Sequence, residues 1–162
     1  MNNMMYWWDL DERSPNYLPA LERPPACYPP VMATRSGDCY FPVGSPGGFG
    51  ILQIIPQVVV NLVDFKMSAQ EAVEYPRVIS LGASQEVYVE DLPGYGNSRW
   101  LAVENRLADG VFEGLAEKGH EVLSMGPYAN LMGCAAVILK HGETAVLEGG
   151  ADPRRDSQVA CW

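Results

Sequence analysis

The sequence predicts a layered fold of mixed helices and strands, α+β or α/β in class, and three features predict it. A glycine-rich turn, Gly44-Ser45-Pro46-Gly47-Gly48-Phe49-Gly50, opens a long apolar helix starting at Ile51. Short strand-like runs lie on both sides of that helix, at 31–43 and 78–90. The elements then follow in the order strand, helix, helix, strand, helix, hairpin, which gives edges enough for two sheets.

Residues 1–30 carry six of the 13 prolines with Tyr6, Trp7, Trp8, Tyr17 and Tyr28, the composition of an irregular segment draped over a surface. The layered domain is expected over 31–162. Within 31–43, two short runs about Ser36-Gly37-Asp38 predict a hairpin. In the following helix Ile51, Ile54, Ile55, Val58, Val59, Leu62 and Val63 are apolar nearly all round, so a sheet on one side and another layer on the other are expected. Gln53, Gln57 and Asn61 make one polar row at four-residue spacing, and Pro56, which lacks an N–H, predicts a kink. Ser68-Ala69-Gln70-Glu71 has capping-box spacing and predicts a short helix that stops before Pro76.

Further on, 78–81 and 86–90 read as strands and 92–100 as a loop. The stretch 105–118 reads as a helix, with Leu107, Val111, Phe112 and Leu115 inward and Gly119 as its stop. The stretches 133–139 and 144–147 read as a second hairpin about Lys140-His141-Gly142-Glu143. There is no internal repeat and no low-complexity tract.

At 162 residues, 48% hydrophobic and 19% charged, the chain is of single-domain size and can bury a real core. A net charge of -9 repels phosphate backbones, so nucleic acid is not an expected partner. The apolar run from Ile51 to Val63 is shorter than the roughly 20 residues of a bilayer span, so no membrane association is expected. Residues 1–10 lack the basic start and apolar run of a signal peptide. Cys27, Cys39, Cys134 and Cys161 stand in no CxxC spacing, and His120 and His141 stand apart from them, so no metal site is expected. Scattered in this way, the cysteines fit reduced thiols as well as two disulfides.

On chemistry alone the glycine turn is either a tight connection or an anion site, because the first turn of a helix leaves N–H groups without intrahelical partners. Nucleotide binding is disfavoured. No lysine follows the glycines as a phosphate loop requires, and Gln53 stands where the dinucleotide fingerprint has its third glycine.

Three motifs in fixed order carry a more specific signal. The glycine turn is followed by Gln70-Glu71-Ala72-Val73-Glu74-Tyr75-Pro76-Arg77, and the chain closes with Gly150-Ala151-Asp152-Pro153-Arg154-Arg155. Together, and over nearly the whole length, these resemble the small catalytic subunit of the gamma-glutamyltranspeptidase family. The resemblance implies part of a four-layer αββα sandwich of the amino-terminal-nucleophile hydrolases, incomplete in this chain. It implies a precursor that cuts itself and frees a threonine, which attacks a gamma-glutamyl amide without metal or organic cofactor. That threonine lies upstream of the family segment resembling Asn2-Asn3, whereas the threonines here are Thr34 and Thr144. The chain is therefore expected to be the C-terminal part of the small subunit, inactive alone, and partnered by a large subunit or by the upstream segment of the same precursor.

The family's two adjacent oxyanion-hole glycines match Gly47 and Gly48. Its substrate-gripping positions are changed: Trp7 replaces the aspartate that binds the substrate's α-amino group, and Ala26 and Cys27 replace the paired serines that bind the α-carboxylate. These side chains cannot pair the charges of an amino-acid head group, so a less polar or differently charged acyl amide is the expected substrate. A slip of one or two residues in this irregular stretch would instead let Asp9 or Arg23 serve. A periplasmic or extracellular location is typical of the family. The alternative is a non-catalytic, degenerate relative kept for subunit association. Asp152, Arg154, Arg155 and Asp156 read as salt bridges pinning the carboxyl terminus rather than as catalytic groups, and neither histidine lies near a nucleophile in sequence.

Overall fold

The structure, a computed structural model, describes residues 8–14, 17, 29–81, 99–142, 144 and 146–161, with only the backbone at Phe49. Two sheets hold the chain together. The first is antiparallel with order β1-β2-β6-β7, made of Val31–Arg35, Asp38–Gly44, Ala136–Lys140 and Leu147–Ala151. The second has order β3-β4-β5, made of Val78–Ser80, Trp100–Glu104 and Glu121–Met125. In it β3 runs antiparallel to β4, and β4 runs parallel to β5.

The hairpin expected over 31–43 forms around Ser36 and Gly37, whose φ values of 53° and 89° are both positive. Two such residues give the turn whose twist matches that of the flanking strands. Along β2 and β6 the pattern alternates, so Phe41, Val43, Val137 and Leu139 are buried while Ile138 is not. They join the core formed with α1 (Ile51–Val63) and α2 (Ala69–Glu74).

Helix α1 touches both sheets, meeting β2 and β3. Ile51, Ile54, Ile55, Val58 and Leu62 are buried, whereas Leu52 is 58% and Val60 41% exposed, so one face of this helix carries no covering layer among the described residues. Pro56 lies on the exposed side within a continuous helix. The polar row has a use that its spacing hints at. Gln57 donates from Nε2 to the Val78 carbonyl (2.7 Å) and accepts the Val78 N–H at Oε1 (3.1 Å). Gln53 repeats this with Ser80, at 3.2 and 2.7 Å. Four helical residues rise about 6 Å and two strand residues about 6.6 Å. The two side-chain amides thus stand in for a neighbouring strand along the edge of β3 that pairs with no strand among the described residues. Asn61 extends the row by donating to the Ala72 carbonyl (3.2 Å).

The capping box at α2 is present: Ser68 Oγ accepts the Glu71 N–H, and Glu71 accepts the Ser68 N–H. Ser68's hydroxyl and amide hold the Glu71 carboxyl below its ordinary value. Three expectations are corrected. The helix expected over 105–118 begins only at Val111, as α3 (Val111–Glu117), because 105–110 turns through Gly110 at φ 86°. None of its residues is fully buried, and Leu107, Val111, Phe112 and Leu115 are half-buried. Gly119 ends it with φ 88° as expected. The second hairpin pairs Ala136–Lys140 with Leu147–Ala151 rather than with 144–147. Strands β4 and β5, joined in parallel across α3, were not anticipated. The expected strand 86–90 and most of the loop 92–100 lie outside the described residues.

Candidate functional site

The glycine turn leaves the end of β2 and enters α1 through a short 3-10 turn, Gly48–Gly50. Gly47 has φ 146° and Gly48 φ 55°, conformations that side chains rarely adopt. The Gly50 N–H donates to the Gly47 carbonyl (3.1 Å) and the Ile51 N–H to the Gly48 carbonyl. Among the described residues no acceptor meets the N–H of Gly47 or of Gly48, and both residues are half-buried. Two adjacent donors without partners at a helix entrance are what a developing oxyanion requires. Trp7, Ala26 and Cys27, the positions expected to meet substrate, lie outside the described residues.

A second strand of backbone backs the turn. Cys134 donates its N–H to the Pro46 carbonyl (3.3 Å) and to Ser45 Oγ (3.2 Å). The adjoining Gly133, at φ 71° and ψ −161°, approaches so closely that a Cβ there would lie 3.0 Å from both Pro46 O and Ser45 Oγ. Cys39, Cys134 and Cys161 are free thiols.

Behind this lies a buried ionic cluster. Arg77, Glu104, Asp152 and Arg154 are at most 5% exposed. Asp152 binds Arg77 (2.6 Å) and Arg154 (3.0 Å), while Glu104 accepts from Arg154 Nε (2.8 Å) and from Arg106 (3.0 Å). Other guanidinium N–H groups donate to main-chain carbonyls, Arg77 to Val73 and Met132 and Arg154 to Val73 and Tyr75, each at 2.8 to 2.9 Å, whereas Arg77 Nε meets no acceptor among the described residues. Burial pushes the Arg77 guanidinium below its ordinary value, and the charge of Arg154 adds to that. For Arg154 burial also acts downward, but the hydrogen bonds and charges of Glu104 and Asp152 outweigh it and hold the group above its ordinary value. Arg106 also stacks on Tyr128, 3.8 Å from the ring centre.

The structural reading of Asp152 and Arg154 agrees with this burial. Arg155 instead meets Asn130 at the surface (2.7 Å), and Asp156 is exposed. Sequence reading missed Arg77 and Glu104 as their partners. The signal was available in Arg77 at the end of the Pro-Arg motif and in Glu104, which closes the otherwise uncharged run Trp100-Leu101-Ala102-Val103. His141 pairs with Glu148 (2.7 Å) in the hairpin. Among the described residues no group of three or more His, Cys, Asp or Glu is placed to hold a metal ion, and no helix is long and apolar enough to cross a membrane.

The family model described as Gamma-glutamyltranspeptidase matches residues 1–162. The chain belongs to the gamma-glutamyltranspeptidase family. Among its relatives, the glutathione hydrolase-like YwrD proenzyme of Bacillus subtilis (strain 168) is 32% identical over 156 residues, which is 96% of this chain and 28% of that protein. The acylase ACY 1 proenzyme of Pseudomonas sp. (strain V22) is 31% identical over 122 residues, 75% of this chain and 19% of that protein. The crystal structure of cephalosporin acylase from Bacillus halodurans superposes on all of this chain (100%) and on 27% of its own, with a TM-score of 0.80 and 27% identity. The chain thus spans less than a third of the length of these relatives, and it shares the layered α+β fold of this family of amino-terminal-nucleophile hydrolases.

Proposed function

We propose that this chain is the C-terminal part of an amide hydrolase or acyltransferase whose nucleophile, an amino-terminal threonine, comes from polypeptide upstream. In this reading the threonine's own α-amine acts as base and its hydroxyl attacks the amide carbon. The N–H groups of Gly47 and Gly48 stabilise the oxyanion of the tetrahedral intermediate, and water or an amine then takes the acyl group. The observation that carries the reading is the pair of N–H groups, on two half-buried glycines at the head of α1, that meet no acceptor among the described residues.

The relatives named glutathione hydrolase and acylase proenzymes support an amide substrate and a processed precursor. Trp7, Ala26 and Cys27 favour a less polar acyl group over a gamma-glutamyl one, since none can pair both charges of an amino-acid head group. The same three residues also support the second reading, a non-catalytic relative retained for association. One experiment separates the two. Expressed with the coding region upstream of Met1, the protein should cleave itself and hydrolyse a fatty-acyl or gamma-glutamyl anilide, whereas the 162-residue chain alone should hydrolyse neither. An extended protein that starts no segment with threonine and turns over neither anilide leaves the association reading standing.

A further inference from the structure

Gly47 and Gly48 carry no side chain of their own that could hold their two amides in one direction. A peptide unit is planar and trans, so its N–H points opposite to its C=O. Fixing a carbonyl therefore aims the amide of the next residue. The carbonyl in the same peptide unit as the Gly47 N–H is that of Pro46. It accepts two hydrogen bonds: from the Ser45 hydroxyl (2.8 Å) and from the Cys134 N–H (3.3 Å). Ser45 Oγ in turn accepts the Cys134 N–H (3.2 Å), which closes a three-membered clamp. The carbonyl behind the Gly48 N–H is that of Gly47, tied to the Gly50 N–H at 3.1 Å.

The clamp stands on the ionic cluster. Arg77 Nη1 holds the Met132 carbonyl (2.8 Å) and Asp152 Oδ2 holds the Ala135 N–H (2.8 Å), so the backbone on both sides of Cys134 is anchored. Met132 and Ala135 are fully buried, and Gly133 permits the close approach to Pro46 that brings the Cys134 N–H into range. From this geometry we infer that Ser45 and the Gly133–Cys134 backbone are positioning elements that aim the Gly47 N–H at the oxyanion. This rests on the proposed function but adds a residue that touches no substrate.

The test compares Ser45→Ala and Ser45→Thr in the upstream-extended protein, labelled with nitrogen-15 glycine. Losing one oxyanion donor outright costs on the order of 100- to 1,000-fold in kcat. Misaiming it should cost roughly 10- to 100-fold in Ser45→Ala, with KM unchanged, because the interaction matters only in the transition state. Ser45→Thr keeps the hydroxyl and should recover most of the rate. The Gly47 amide resonance should move in Ser45→Ala and return in Ser45→Thr. An active protein in which Ser45→Ala keeps its kcat, or loses only stability, overturns the inference and spares the proposed function. A Gly47 resonance that Ser45→Ala does not move overturns the inference even in an inactive protein, and inactivity of the unsubstituted protein counts against the function alone.

Discussion

Asp152 and Glu104 each lie between guanidinium groups with no access to water, and their oxygens are also committed to main-chain amides. A buried ion pair adds little net stability when compared with an apolar pair of equal volume, but removing a single partner strands the other charge. Asp152→Ala leaves Arg77 without its close carboxylate and releases the Ala135 N–H, so it should lower the unfolding free energy by about 3–5 kcal/mol. Arg155→Ala, which removes only a surface contact to Asn130, should stay within about 0.5 kcal/mol. Urea titration of the two variants reads the difference directly, and equal midpoints would remove the cluster from the list of what holds the fold. The arginine and aspartate were visible in the motif Asp152-Pro153-Arg154, and Arg77 and Glu104 stand out singly in the sequence, but the pairing among the four does not. Glu104 is 50 residues from Arg154, and no local spacing encodes such a pairing.

At the level of elements, the polar row of α1 replaces a strand at the edge of β3. Gln57→Leu keeps the volume and the helix propensity but leaves the Val78 N–H and carbonyl without partners, at a cost of about 1–3 kcal/mol. Amide exchange at Val78 should quicken in that variant, while exchange at Phe41 in the other sheet should not change. Faster exchange throughout would mean that α1 had simply come loose. The same helix shows what a sequence makes legible. Its apolar period, the capping box at Ser68 and the Ser36-Gly37 turn are local signals, and each produced the expected element. Strand β5 was not legible because Glu121, Val122, Leu123 and Met125 are all half-buried and Ser124 alone is exposed, so the run shows no regular alternation. Strand β7 was displaced because it runs through Gly149 and Gly150, residue types that weaken a strand reading. In the candidate site, the Gly47-Gly48 turn was legible from composition. The Ser45–Cys134 clamp was not, because its two halves lie 89 residues apart.

At the scale of the whole molecule, the first sheet buries one face against α1 and α2, and among the described residues its other face carries exposed apolar side chains, with Val159 laid over Gly149 at the β7 edge. Met32 is 67%, Ile138 48% and Leu147 63% exposed, and a groove of about 580 Å³ lined by Pro30, Met32, Pro42 and Ile138 crosses that face beside Gly44. On α1, Leu52 and Val60 are exposed as well. A continuous apolar surface on a sheet invites another layer, and in its absence a second copy serves. The 162-residue chain alone should therefore self-associate at micromolar concentration, which sedimentation velocity would register as a concentration-dependent rise in mean mass. Ile138→Lys places a charge on that apolar face, whereas Val137 and Leu139, its neighbours on the strand, keep the core intact. That variant should sediment as a monomer with an unchanged urea midpoint. The upstream-extended protein should lose the concentration dependence without any substitution, because its own chain would cover the sheet. A monodisperse 17.8 kDa species from the unsubstituted chain would mean that the face is tolerated in water, and the case for a covering segment would then rest on the relatives alone.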